Sequence, residues 1–157
     1  MRTKEINKWI EEGGSLPEDL TQEEHRHLSR LGWRKVVMEY DNGQKEFEHH
    51  FLHGKEHGKW EGWWEDGQKD YEENWLHGKL HGKWERWYYN GQKWFEDHFL
   101  HGKEHGKQEG WYENGQKSSE QHCFHGMKHG VFKGWCREGD LCRDEEYYYG
   151  NKIKKTS

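Results

Sequence analysis

Gly43, Gly67, Gly91, Gly115 and Gly139 recur every 24 residues without a slip. Each closes a copy of one unit, clearest as Trp60-Glu-Gly-Trp-Trp-Glu-Asp-Gly-Gln-Lys69 followed by Asn74-Trp-Leu-His-Gly-Lys-Leu-His-Gly-Lys83. Self-similarity at a fixed period of this length is the mark of a stacked repeat, because one copy cannot bury its apolar face alone and must lean on the next. The period fixes the form of the chain and says less about its use, beyond the fact that repeat surfaces bind things.

Each unit reads as a β-hairpin. Asn42-Gly43, Asp66-Gly67, Asn90-Gly91 and Asn114-Gly115 are favoured pairs for a two-residue type I′ turn. The opposite turns are expected at Gly54-Lys55, Gly78-Lys79 and Gly102-Lys103. Two strands of about ten residues and two turns of two fill the period. The expected fold is mainly β: an elongated antiparallel meander of about ten strands in stacked 24-residue hairpins, with a short α-helical N-terminal cap. Only 29% of the chain is hydrophobic and 35% is charged, too polar for a thick globular core. Eleven tryptophans supply a thin, repetitive one instead. The single proline, Pro17, lies outside the repeats, as unbroken ladders require.

Three segments follow: a helical cap over 1–31, five hairpin repeats over 32–152 and a basic tail over 153–157. In the cap, Ile6, Trp9 and Ile10 share one face of a first helix that ends at Gly13-Gly14. Thr21-Gln-Glu-Glu24 is a capping box opening a second helix that carries Leu28 and Leu31 and stops at Gly32. Its expected role is to cover the open edge of the first hairpin. A small docking element is the other reading, since Leu16-Pro17 followed by Leu20 resembles the start of an F-box.

The pattern resembles the MORN repeat family, in the variant with blocks such as Trp111-Tyr-Glu-Asn-Gly-Gln116 and His101-Gly-Lys-Glu-His-Gly106. The resemblance spans about residues 36–152, five copies with the first and last degenerate. It implies elongated sheets of stacked hairpins and roles as scaffolds or membrane-associated adaptors. Bacterial relatives are often described as antitoxins, and giant-virus genomes carry many copies. The lipid kinase or methyltransferase domains joined to such repeats elsewhere are not expected in 157 residues.

With turns so placed, whole rows of side chains follow from strand alternation. One face carries Phe51, Gly58, Trp75, Gly82, Phe99 and Gly106, and beside them Phe47, Gly62, Tyr71, Arg86, Phe95 and Gly110, rings lying over neighbouring glycines. A third row on that face, Tyr40, Lys45, Trp64, Lys69, Tyr88, Lys93, Tyr112 and Lys117, sets each lysine between two rings, a cation–π geometry that also suits a phosphate or an acidic peptide.

The other face holds the candidate site. Glu48, Glu61, Glu72, Glu85, Glu96, Glu109 and Glu120 form one row, with Trp63, Trp87, Trp111 and Trp135 in the next. Strands lie about 4.8 Å apart, so like charges meet at a cost. Lys59, Lys83 and Lys107 offset only part of it. Such a stripe beside exposed indoles suits docking of a basic or mixed protein partner, or capture of a divalent cation; a solvated face copied by duplication is the plain alternative. A three-residue turn with a bulge would shift the rows so that the glutamates no longer meet.

His53/His57, His77/His81, His101/His105 and His125/His129 invite a zinc reading that spacing rejects. The two members of each pair point to opposite faces, and copies in one column stand about 9.5 Å apart, while zinc gathers ligands at about 2 Å from one centre. Leu52, His57, Leu76, His81, Leu100 and His105 read as packing with a polar tip. Protonating all fourteen histidines would move the net charge from −5 to about +9, which leaves a pH switch open as a second reading. Cys123, Cys136 and Cys142 read as small hydrophobes of a reducing compartment.

No nucleophile triad, phosphate loop or paired-cysteine motif is present, so no catalytic residue, cofactor or metal is assigned and the chain is not read as an enzyme. The acidic balance argues against nucleic acid. It also disfavours membrane or phosphoinositide binding, the second functional hypothesis. Self-association through edge strands is a further expectation. With no membrane-length apolar run and no signal-peptide core, the protein is expected to be soluble and cytoplasmic.

Overall fold

The computed structural model describes residues 3–153, and the hairpin repeats form antiparallel strands that pair with their chain neighbours in a meander. The chain divides into two compact units, residues 1–81 and 82–157. The four residues 154–157, most of the expected basic tail, lie outside the described residues.

The first unit contains α1 (Thr3–Glu12), α2 (Gln22–Arg30), β1 (Trp33–Glu39), β2 (Lys45–Leu52), the short β3 (Lys55–Glu56), β4 (Gly58–Trp63) and β5 (Lys69–Leu76). Strand order is β1-β2-β4-β5, with β3 folded back on β2. Gly13 stops α1 at φ +76°. The capping box of α2 is formed: Thr21 N–H donates to Glu24 Oε2 (2.8 Å) and Glu24 N–H to Thr21 Oγ1 (3.2 Å). The second unit holds most of β6 (Lys79–Trp87), then β7 (Lys93–Leu100), β8 (Lys103–Trp111), β9 (Lys117–Phe124), β10 (Met127–Lys128), β11 (Gly130–Trp135), β12 (Leu141–Tyr148) and β13 (Asn151–Ile153). Its order is β6-β7-β8-β9-β11-β12-β13, with β10 on β9.

Both kinds of turn differ from expectation: the Asn/Asp-Gly turns are a residue longer, and the type I′ turns fall at the other end, one residue before the expected Gly54-Lys55, Gly78-Lys79 and Gly102-Lys103. At Asp66-Gly67 the loop is three residues: Gly67 N–H donates to Trp64 O (2.8 Å) and Trp64 N–H to Gln68 O (2.7 Å), with Gly67 at φ +85°. Asp66 keeps φ negative, and its Oδ1 accepts Gln68 N–H (3.0 Å). This is a type I turn closed by a left-handed glycine. Loops ending at Gly43, Gly91, Gly115 and Gly139 repeat the backbone bonds. The two-residue turns are His53-Gly54, His77-Gly78, His101-Gly102, His125-Gly126 and Tyr149-Gly150, with φ between 43° and 83° at all ten residues, as type I′ requires. Histidine is among the few side chains that tolerate this region, which its placement in the repeat exploits.

Each three-residue loop is followed by a bulge that returns the register. Trp63 faces Lys69 while Gly62 faces Tyr71, so Asp70 is the extra residue. The same slip follows the loops at Gly43, Gly91, Gly115 and Gly139. Beyond it, partners are those the two-residue turn would give. Phe47 and Tyr71 both face Gly62, and Phe95 faces both Arg86 and Gly110. Gly58 faces Trp75 and Gly82 faces Phe99. Near the type I′ ends the expectation fails: Phe51 faces Glu56 and Phe99 faces Glu104, because Gly58 and Gly106, at φ +79° and +92°, break the ladder there.

The most deeply buried cluster is Ile6, Trp9, Leu28 and Leu52, with Leu16 and Leu20 packed against it. The helical segment meets the start of β1, where the rings of His25 and Trp33 lie 5.6 Å apart, while Val37 and Met38 further along stay 37% and 49% exposed. It lies on a face of the sheet, with Trp9 against His57 of the β3–β4 junction and Gly13 against the Trp75 carbonyl. With Leu16 and Leu20 engaged in this packing, the F-box-like stretch is not a free docking element.

Cys136 and Cys142 form a disulfide across the loop between β11 and β12, their Cα atoms 5.7 Å apart. Only Cys123 is the free, buried thiol that the sequence suggests for all three. Reducing the disulfide, or replacing both cysteines with serine, removes a short cross-link and is expected to cost about 2 kcal/mol. Thermal unfolding with and without reductant, read beside amide exchange in β12, checks this; unchanged exchange would show the loop needs no staple.

Candidate functional site

The glutamates meet across the strands despite the bulges. In the first unit Glu48 faces Glu61, and Glu61 faces Glu72. In the second, Glu85, Glu96, Glu109 and Glu120 face one another in turn. The expectation that a three-residue loop would separate them is corrected by the compensating slip.

The same slip moves the lysines. A regular strand would put Lys69 on the face opposite Glu72, but the bulge at Asp70 turns it onto the glutamate face. Lys69 Nζ lies 2.5 Å from Glu61 and 3.5 Å from Glu72. Lys93 lies 2.6 Å from both Glu85 and Glu96, and Lys117 sits 2.5 Å from Glu109 and pairs with Glu120. Lys45 pairs with Glu48 at 2.6 Å. From the other side, Lys59, Lys83 and Lys107 each bridge two glutamates within 4 Å. The acidic stripe is thus a charge-balanced ladder, and the lysine row expected between tyrosines does not exist. Those tyrosines bond to the next hairpin instead: Tyr40, Tyr88 and Tyr112 donate to the carbonyls of Trp63, Trp111 and Trp135 at 2.8–3.0 Å.

Burial pushes the carboxyls of Glu48, Glu61, Glu96 and Glu109 upward, but hydrogen bonds and charge from the lysines outweigh it and hold all four below the usual range. For Glu120 the Lys117 hydrogen bond dominates in the same direction. The tryptophans are half-buried, roofed by the same ammonium groups: Lys69 stands 4.9 Å over Trp63, Lys93 5.8 Å over both Trp87 and Trp111, and Lys117 5.9 Å over Trp111 and Trp135. Each lysine serves two carboxylates and at least one indole, an arrangement suited to holding side chains rigid.

In the first unit this face is partly occupied by the chain itself. The helical segment buries Leu52 and His57, and between it and the ladder lies a cleft of about 390 Å³ lined by Leu16, Trp33, Lys45, Glu48, His50 and Trp63 among others. Sequence reasoning missed this docking, whose only signal is the tryptophan in an otherwise short helix. It also missed the column Trp60, Trp84, Gln108 and Phe132, which fills the opposite face. Trp60 stacks on His49 at 3.9 Å, and Gln108, at the same place in its repeat, bonds both backbone groups of His98.

The histidines serve the turns. Nδ1 of His57, His105 and His129 accepts the backbone N–H of His77, His125 and Tyr149, the first residue of the next type I′ turn (3.3–3.4 Å). This brings His57 and His77 rings to 4.7 Å, a contact that spacing within one unit does not reveal. Among the described residues no three His, Cys, Asp or Glu side chains are placed to hold a metal ion. Burial lowers the pKa of His50 and His57, and pushes that of His49 down to about 4. These groups bind fewer protons folded than unfolded, so their contribution is complete above about pH 6.5 and is lost as pH falls towards 4. Urea midpoints at pH 7.5, 5.5 and 4.5 should fall in that order, with a flatter trend for His57→Gln; equal slopes would show His57 titrates freely.

No protein-family model and no curated protein matches the sequence. Among the described residues no helix is long and apolar enough to cross a membrane.

Proposed function

We propose that this chain is a non-catalytic, MORN-like binding scaffold that presents the Glu/Trp face of its second unit to a protein partner. The observation that carries the reading is a contrast between the units: one face of the first is docked by the chain's own helices, while the described residues of the second, which include Glu96, Glu109, Trp111 and Trp135, contain no helix of their own. Indoles clamped by lysine lose little freedom on binding, which favours them as anchors. Balanced ion pairs around them favour a partner of mixed charge over a strongly basic one. The ladder lysines are committed to glutamates, and the net charge of −5 works against binding to an anionic lipid. Neutralisation of a toxin would be one case of the same protein binding.

A pull-down from native lysate comparing the wild type with W111A/W135A tests this. A partner retained by the wild type and lost by the variant, with unchanged far-ultraviolet circular dichroism, is expected. An identical catch from both would take the binding surface away from this face.

A further inference from the structure

The seat that α1 occupies in the first unit is built from repeat positions, and the second unit carries it twice more. In the occupied seat, Leu52 is 2% and His57 0% exposed. The Trp9 indole packs edge-on to His57, ring centroids 4.6 Å apart, and lies flush on Gly58, where a Cβ would overlap Nε1. Because His57 Nδ1 accepts the His77 N–H, its Nε2 carries the proton and donates to the Trp9 carbonyl at 2.7 Å. That carbonyl lies in the last turn of α1 and already accepts Gly13 N–H at 2.9 Å, so the imidazole is a second donor to the helix C-terminus. The seat therefore has three parts: an aliphatic floor, a flat glycine for an indole, and a fixed imidazole donor for a helix C-terminus.

Two repeats on, the same parts are Leu100, Gly106 and His105; three repeats on, they are Phe124, Gly130 and His129. His105 and His129 hold the same tautomer through the N–H groups of His125 and Tyr149, so each aims a proton-bearing Nε2 at the place where His57 meets α1. A Cβ on Gly106 would find nothing nearer than 3.8 Å, and one on Gly130 nothing within 4 Å, where Gly58 has an indole. Phe124 is 39% exposed where Leu52 is buried.

The geometry points to the second unit as a receptor for an amphipathic helix of a partner protein, one that ends in a Trp with an aliphatic residue one turn before it, as Ile6 precedes Trp9. The inference rests on the functional reading above and names its partner's chemistry. Hydrophobic anchors supply the affinity, and the histidine donor sets polarity by selecting the C-terminal end of the helix.

The test uses the full chain and a fluorescent peptide with the sequence of residues 3–14. Saturable binding by anisotropy is expected, at least tenfold weaker for L100E/F124E and for H105A/H129A, and at least tenfold weaker for a peptide with alanine at the Trp9 position. Absence of binding at millimolar peptide would overturn the inference without touching the lysate result, which concerns any protein partner. Binding lost only in His57→Ala would mean exchange into the first unit and would equally overturn it. A concentration-dependent dimer abolished by L100E/F124E would assign the seats to a second copy of the chain and exclude the foreign helix.

Discussion

Gly58→Ala is expected to release the helical segment from the first unit. The residue sits at φ +79°, and a Cβ there would overlap the Trp9 indole and stand 3.0 Å from the Gly14 carbonyl. A left-handed non-glycine residue costs about 1–2 kcal/mol, and forcing atoms into a packed contact adds about 1–3 kcal/mol. Gly43→Ala separates the two effects, because Gly43 has φ +82° with nothing within 4 Å. Its loss should be the strain alone. Urea midpoints, read by tryptophan fluorescence and near-ultraviolet circular dichroism, decide the matter. Equal losses in both variants would mean that Trp9 is not seated on Gly58.

Lys93→Met should destabilise the second unit by about 1–3 kcal/mol, the range for removing one charged partner of a partly buried network. It leaves Glu85 and Glu96 facing each other with Lys83, at 3.6 and 3.8 Å, and His98, 3.9 Å from Glu96, to screen them. Adding Glu96→Gln to the variant should recover most of the loss. The pH dependence also separates the two proteins. Glu96 is held below its usual range in the wild type, burial notwithstanding, by the Lys93 hydrogen bond and charge. Its contribution is therefore present above the unfolded glutamate value of about 4.3 and is lost as pH falls through the lower folded value. Without Lys93 the balance reverses, and mild acid should stabilise the variant relative to pH 7. A variant that still loses stability on acidification would show that Lys93 does not govern the ladder.

The strand rows were readable from the sequence to a degree that depended on cancelling errors. Asn-Gly pairs favour a two-residue turn, and the chain makes three-residue loops there. Yet Glu61 still faces Glu72, because the bulge at Asp70 restores the offset. Lys69 has no such protection: it lies on the loop side of the slip, so its face could not be had from alternation alone. The type I′ turns were missed because His53 carries a weaker preference than Asn42, and only the backbone angles distinguish them. The helices were legible from Thr21, Glu24 and Gly13, whose chemistry is local. Where they dock was not, since the pairing of Trp9 with His57 joins residues 48 apart and leaves no periodic trace.

The histidine bonds between successive turns have a thermodynamic consequence. His57 steadies the turn at His77, His105 that at His125, and His129 that at Tyr149, whereas the first turn is held by the Gly32 carbonyl, 3.0 Å from His53 N. Each such bond ties a hairpin to the next and stabilises both, so within a unit the hairpins behave as nearest-neighbour coupled links. Opening within a unit should therefore pass from a hairpin to its neighbours, and amide exchange read strand by strand along the second unit should show graded rather than uniform protection.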